Sequence, residues 1–106
     1  MNFKINYNID DSKEFNMTGL SGEISANFYN LKELFGDPII TNCNCMDCYE
    51  FYFESDDGKY VSLSSPHDIP IKYIEIEDFL EWEIHSKYKK TSELFLRWIK
   101  SKLKGI

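Results

Sequence analysis

The run Tyr49-Glu50-Phe51-Tyr52-Phe53-Glu54, followed by Ser55-Asp56-Asp57-Gly58, constrains the fold more than any other part of the chain. Side chains alternate across a strand, so Tyr49, Phe51 and Phe53 share one face while Glu50, Tyr52 and Glu54 share the other. Asp-Gly accepts the positive φ of a tight hairpin turn, which sends residues 59–64 back antiparallel with Val61 and Leu63 on one side. The rest of the chain must extend this hairpin and cover it.

The same alternation recurs elsewhere. Phe3, Ile5, Tyr7 and Ile9 predict a strand over 3–9. Asp10-Asp11-Ser12 is a turn cluster, and Phe15 and Met17 resume the alternation as a hairpin partner. Leu20 and Ile24 continue past Gly19 and Gly22, which read as a bulge. Residues 71–76 read as an edge strand beside Pro70. Over 79–85, Leu80, Trp82 and Ile84 point inward, and Glu81, Glu83 and His85 outward.

Two segments follow the helical period. Phe28, Leu31, Leu34 and Phe35 form one stripe over 26–35, with Ser25 or Asn27 as cap and Gly36-Asp37-Pro38 as the stop. Leu94, Phe95, Trp98, Ile99 and Leu103 do the same over 92–104, where Thr91 or Ser92 is the expected cap. The expectation is an α+β fold: an antiparallel sheet of about five to six strands, with two amphipathic helices on one face. The core should gather Leu31, Phe35, Phe51, Phe53, Leu80, Trp82, Ile84 and Trp98. At 106 residues a single domain, 1–106, is expected.

Composition narrows the function classes. No apolar run approaches the ~18 residues of a membrane span, and Met1-Asn2-Phe3-Lys4 does not open a signal peptide. Three cysteines within 43–48 are the wrong number and spacing for a secreted disulfide framework, so a cytoplasmic setting is expected. The net charge is −6, but it is uneven: residues 1–83 balance to −12 and residues 84–106 to +6. The basic tail either folds back on the acidic body or marks a partner surface. With one arginine in an acidic chain, nucleic-acid binding is disfavoured.

Cys43-Asn44-Cys45-Met46-Asp47-Cys48 contains a C-x-x-C spacing that can grip a tetrahedral zinc ion. Cys43 is a third candidate ligand, and His67 or His85 a fourth. A closed site needs a second well-spaced pair, which the sequence lacks. The expectation is therefore free thiols, with no cofactor and no structural metal. A thioredoxin-like reading lacks its βαβ setting. No nucleophile–base motif surrounds Cys48, His67-Asp68 or His85, so no catalytic residue is assigned.

The acidic side chains are the remaining candidates. Glu50, Glu54, Glu81 and Glu83, with Tyr52, fall on the outward side of the predicted strands and would present a negative face to a basic partner protein. On the last helix Arg97, Lys100 and Lys104 form an opposing basic stripe.

Leu20-Ser21-Gly22, Tyr29-Asn30-Leu31-Lys32-Glu33-Leu34-Phe35-Gly36-Asp37-Pro38, Glu50-Phe51-Tyr52-Phe53, Asp57-Gly58 and Trp82-Glu83-Ile84 together resemble a loose group of small proteins of tailed phages and large DNA viruses. The likeness covers roughly residues 20–103: a helix ending in Phe-Gly-x-Pro, an Asp-Gly hairpin, then a strand and a C-terminal helix. Val61-Ser62-Leu63-Ser64 departs from it, since such proteins tend to carry a tryptophan-containing strand there. The resemblance implies a viral accessory role in the host cytosol and no catalytic residues. The functional expectation is a non-catalytic acidic module that binds or inhibits a host factor, alone or self-associated. The alternative is a small zinc-binding protein built on the 43–48 cysteines.

Overall fold

The central hairpin of the computed structural model, which describes residues 1–8, 20–43 and 46–105, is longer than its alternation indicates. Strand β4 (Met46–Ser55) pairs antiparallel with β5 (Tyr60–Ser64), and Gly58 in the turn has φ 80°. The second edge of β4 is shared end to end. β3 (Ile39–Cys43) takes residues 46–50, and β1 (Phe3–Ile5) takes residues 53–55. Beyond β5 lie β6 (Phe79–His85) and then β2 (Leu20–Asn27) at the far edge, all antiparallel. Helix α1 (Phe28–Phe35) continues directly from β2, and α2 (Lys89–Lys104) closes the described chain. The fold is α+β, a curled six-stranded antiparallel sheet with two helices.

Both helices cover the same face. Phe35 of α1 meets Phe53 edge-on at 5.0 Å, and Phe95 of α2 meets the same ring at 4.8 Å. Leu31, Phe51, Phe53, Trp82 and Ile84 are fully buried, as their alternation requires, while Phe35, Leu80 and Trp98 pack against them half-buried. Val61, Leu63, Phe95 and Ile99 complete the cluster. Each aromatic ring removes ~150–250 Å² from water, so few residues suffice for this core.

Several boundaries differ from the sequence reading, each for a local reason. Residues 71–76 are not a strand: Ile71–Tyr73 form a 3₁₀ turn, with the amides of Tyr73 and Ile74 donating to the carbonyls of Pro70 and Ile71. Proline fixes the φ that starts such a turn. Helix α1 begins at Phe28, because residues 26 and 27 still pair with β6, and Asn27 accepts from the Asn30 amide as the cap. Ser25 bonds Glu81 instead. Helix α2 starts three residues earlier than expected, so Thr91 and Ser92 are buried in its first turn. The strand expected over 3–9 is described as Phe3–Ile5, extended by the Asn6 amide donating to Tyr52 O at 2.9 Å. The hairpin expectation at Phe15 and Met17 lies outside the described residues. β3 is a strand that the sequence reading did not contain.

Candidate functional site

Residues two apart on a strand face the same way, so Glu83 and His85 project together from the helix-free face of β6. After β5, Ser65 is held against β4, its hydroxyl accepting the Tyr49 amide at 3.0 Å, and His67 follows in a turn closed by the Ile69 amide donating to Pro66 O at 3.3 Å. His67 Nδ1 then lies 2.8 Å from Glu83 Oε1, and His85 Nε2 lies 3.3 Å from the same oxygen. The His67 amide donates to the other carboxylate oxygen at 3.3 Å. The imidazole centroids are 5.7 Å apart. All three side chains are half-buried, and among the described residues they are the group of histidines and acids that converges closely enough for a metal ion.

The neighbours of this cluster on the same face are buried polar residues. Ser64 stands opposite Glu83 across β5–β6, and Ser62 opposite His85. Both serines are buried, and Ser64 Oγ has no hydrogen-bond partner among the described residues. On β2, Glu23 stands opposite Glu83 and is exposed.

The predicted acidic face does not exist as one exposed surface. Glu50 and Tyr52 are buried, and Glu50 accepts from the Thr41 hydroxyl at 2.5 Å. Tyr7 lies against Tyr52 with ring centroids 6.0 Å apart. Glu54 is held by Asn6 Nδ2 at 3.2 Å and Lys4 at 3.9 Å. Glu83 belongs to the histidine cluster, which leaves Glu81 exposed and bonded to Ser25. Alternation placed these residues on one side correctly, but it carries no information about what covers that side.

The cysteine reading divides. Cys48 is buried in β4, with Sγ 3.9 Å from Met46 O, and Cys43 ends β3 opposite Met46. Cys45 and the Cys43 side chain lie outside the described residues. His67 and His85, considered as a fourth ligand for the cysteines, are joined to each other by Glu83 instead. Arg97, Lys100 and Lys104 are exposed as the helical stripe predicts, and Lys100 and Lys104 line a groove with Glu23 and Glu81.

A second surface was not anticipated. The Phe28 and Tyr29 amides at the start of α1 donate to Asp78 O and Ile76 O at 3.0 and 2.8 Å, clamping the 74–79 segment there. Ile40, Ile74, Ile76, Phe28 and Tyr49 line a groove beside this clamp, with Lys32 and Asp37 on it. Ile40 is 58% exposed and Phe79 70% exposed; Tyr29, Tyr73 and Ile76 are exposed as well. Glu33, Asp37, Glu75 and Glu77 are exposed around them. The signal in the sequence was the non-alternating run Ile71 to Ile76, which buries Ile74 alone among its large side chains.

Among the described residues three titrating groups are displaced; a hydrogen bond to the Glu33 carboxylate raises the Tyr29 phenol. Burial, then the nearby Asp37 charge, pushes the Tyr7 phenol up to about 12, and its hydroxyl donates to Asp37 O at 3.2 Å. The Ser55 hydroxyl bonded to Asp57 holds that carboxyl below its ordinary value. Among the described residues no helix is long and apolar enough to cross a membrane. No family model, curated protein or solved structure matches the chain.

Proposed function

We propose that the chain is a non-catalytic protein-binding module whose partner presents a basic surface carrying large apolar side chains. The carrying observation is the groove lined by Phe28, Ile40, Tyr49, Ile74 and Ile76, together with the exposed Tyr29, Tyr73 and Phe79 and the exposed acids Glu33, Glu75 and Glu77 on the segments that form it. Large exposed apolar side chains rimmed by charge mark interaction surfaces, and burying them against a partner is the main source of affinity there. The rim acids select a basic partner and speed its encounter. This moves the partner surface away from the glutamates first assigned to it. The resemblance to small viral proteins supports an accessory role, and the cysteine spacing supports the cytosol as its setting.

The test is selection of binding sequences from a displayed random peptide library. Enrichment of peptides with lysine or arginine flanking bulky apolar residues is expected, with loss of binding to Ile40→Asp and to Phe79→Ser. Enriched peptides that bind both variants as well as the parent would place the interface elsewhere. Sedimentation of the free chain as a dimer that Ile40→Asp dissociates would assign the groove to a second copy instead.

A further inference from the structure

We propose that His67, Glu83 and His85 form a binding site for a divalent transition-metal ion of the zinc type. Two imidazole nitrogens and one carboxylate oxygen are a donor set that binds zinc with a position left for solvent. In a tetrahedral site with bonds of ~2.0–2.1 Å, ligand atoms stand ~3.3 Å apart. His85 Nε2 and Glu83 Oε1 already have this separation at 3.3 Å, and His67 Nδ1 is slightly closer at 2.8 Å. A small outward shift of His67, which is carried on a loop, admits the ion without moving β6.

Independent features support the same site. The second carboxylate oxygen of Glu83 accepts from the His67 amide, which orients the carboxylate in the way that outer hydrogen bonds orient metal ligands. Ser64 Oγ is buried, unpartnered among the described residues, and lies opposite Glu83 on the same sheet face. A buried hydroxyl without a partner costs stability unless a water or ion completes it. A solvent molecule on the metal would complete Ser64.

The experiment titrates metal-free protein with Zn²⁺ by calorimetry, and with Co²⁺ followed by absorption spectroscopy. One equivalent per chain is expected. Cobalt should show ligand-field bands without a thiolate charge-transfer band. His67→Gln and Glu83→Gln should each weaken binding by about tenfold or more, whereas Cys45→Ser and Cys48→Ala should leave it unchanged. Because Glu83 is half-buried, each variant is first compared with the parent by thermal melting without metal; the loop variant His67→Gln gives the decisive comparison. Absence of Zn²⁺ uptake overturns the proposal. So does binding that survives His67→Gln unchanged, or a cobalt–thiolate band that Cys45→Ser abolishes.

Discussion

Trp82 donates its indole N–H to the carbonyl oxygen of Ala26 at 3.2 Å, tying the inner strand β6 to the edge strand that runs straight into α1. The ring itself is fully buried between Phe28 and Phe51. One residue therefore carries packing and a directional bond at once.

Truncating Trp82 to alanine should cost about 3–5 kcal/mol, most of the stability of a domain this small. Trp82→Phe keeps much of the packing and loses the hydrogen bond, at about 1–3 kcal/mol. Urea denaturation of the two variants against the parent measures both effects. Equal, small losses would mean that the indole is not in the core.

Glu50 and Glu81 separate burial from strand parity. Both occupy outward positions, yet Glu50 is buried against Thr41 and Glu81 is exposed. Glu50→Lys places an uncompensated charge under cover and should destabilise by about 3–5 kcal/mol. Glu81→Lys should stay within about 1 kcal/mol of the parent. Matching unfolding midpoints for the two would return Glu50 to the surface.

Gly36 ends α1 with φ 80°, a region that side chains resist, and a Cβ there meets no atom within 4 Å. Gly36→Ala should therefore act through backbone strain alone, costing about 1–3 kcal/mol. Gly22→Ala, whose Cβ would rest 3.7 Å from Ile84 Cδ1 at ordinary contact, should cost less. Thermal melts of the two variants check the order.

Tyr7 governs an alkaline limit. Its folded value of about 12 exceeds the ordinary 10.0, so the native state favours the neutral phenol. That preference is fully present below pH 10 and is lost as pH rises toward 12. Tyr7→Phe should make stability less sensitive to pH across this window, as measured by unfolding at a series of alkaline pH values. An unchanged pH slope would mean that the phenol titrates in solvent.

The core face was legible because period two and period 3.6 report apolar placement directly: Phe51, Phe53, Trp82 and Leu31 are buried as read. Ile39–Cys43 escaped because polar Thr41 and Asn42 mask its pattern, and pairing with β4 rather than propensity makes it a strand. The histidine cluster was half legible. Glu83-x-His85 on a strand already shares a face, but His67 arrives only through the turn after β5, which no local period encodes.

The divided edge of β4 sets an order of events in folding. β3, β4 and β5 are consecutive, with two and four residues between them, so their pairing closes small loops and forms early. β1 meets β4 across some fifty residues and β2 meets β6 across nearly sixty, both long closures with higher entropic cost. The amino-terminal strand, three residues long, completes a seam that β3 has already half occupied. Mutations in the meander should slow refolding, whereas mutations in β1 and in β2 should mainly speed unfolding, so the native lifetime is set at these two late closures.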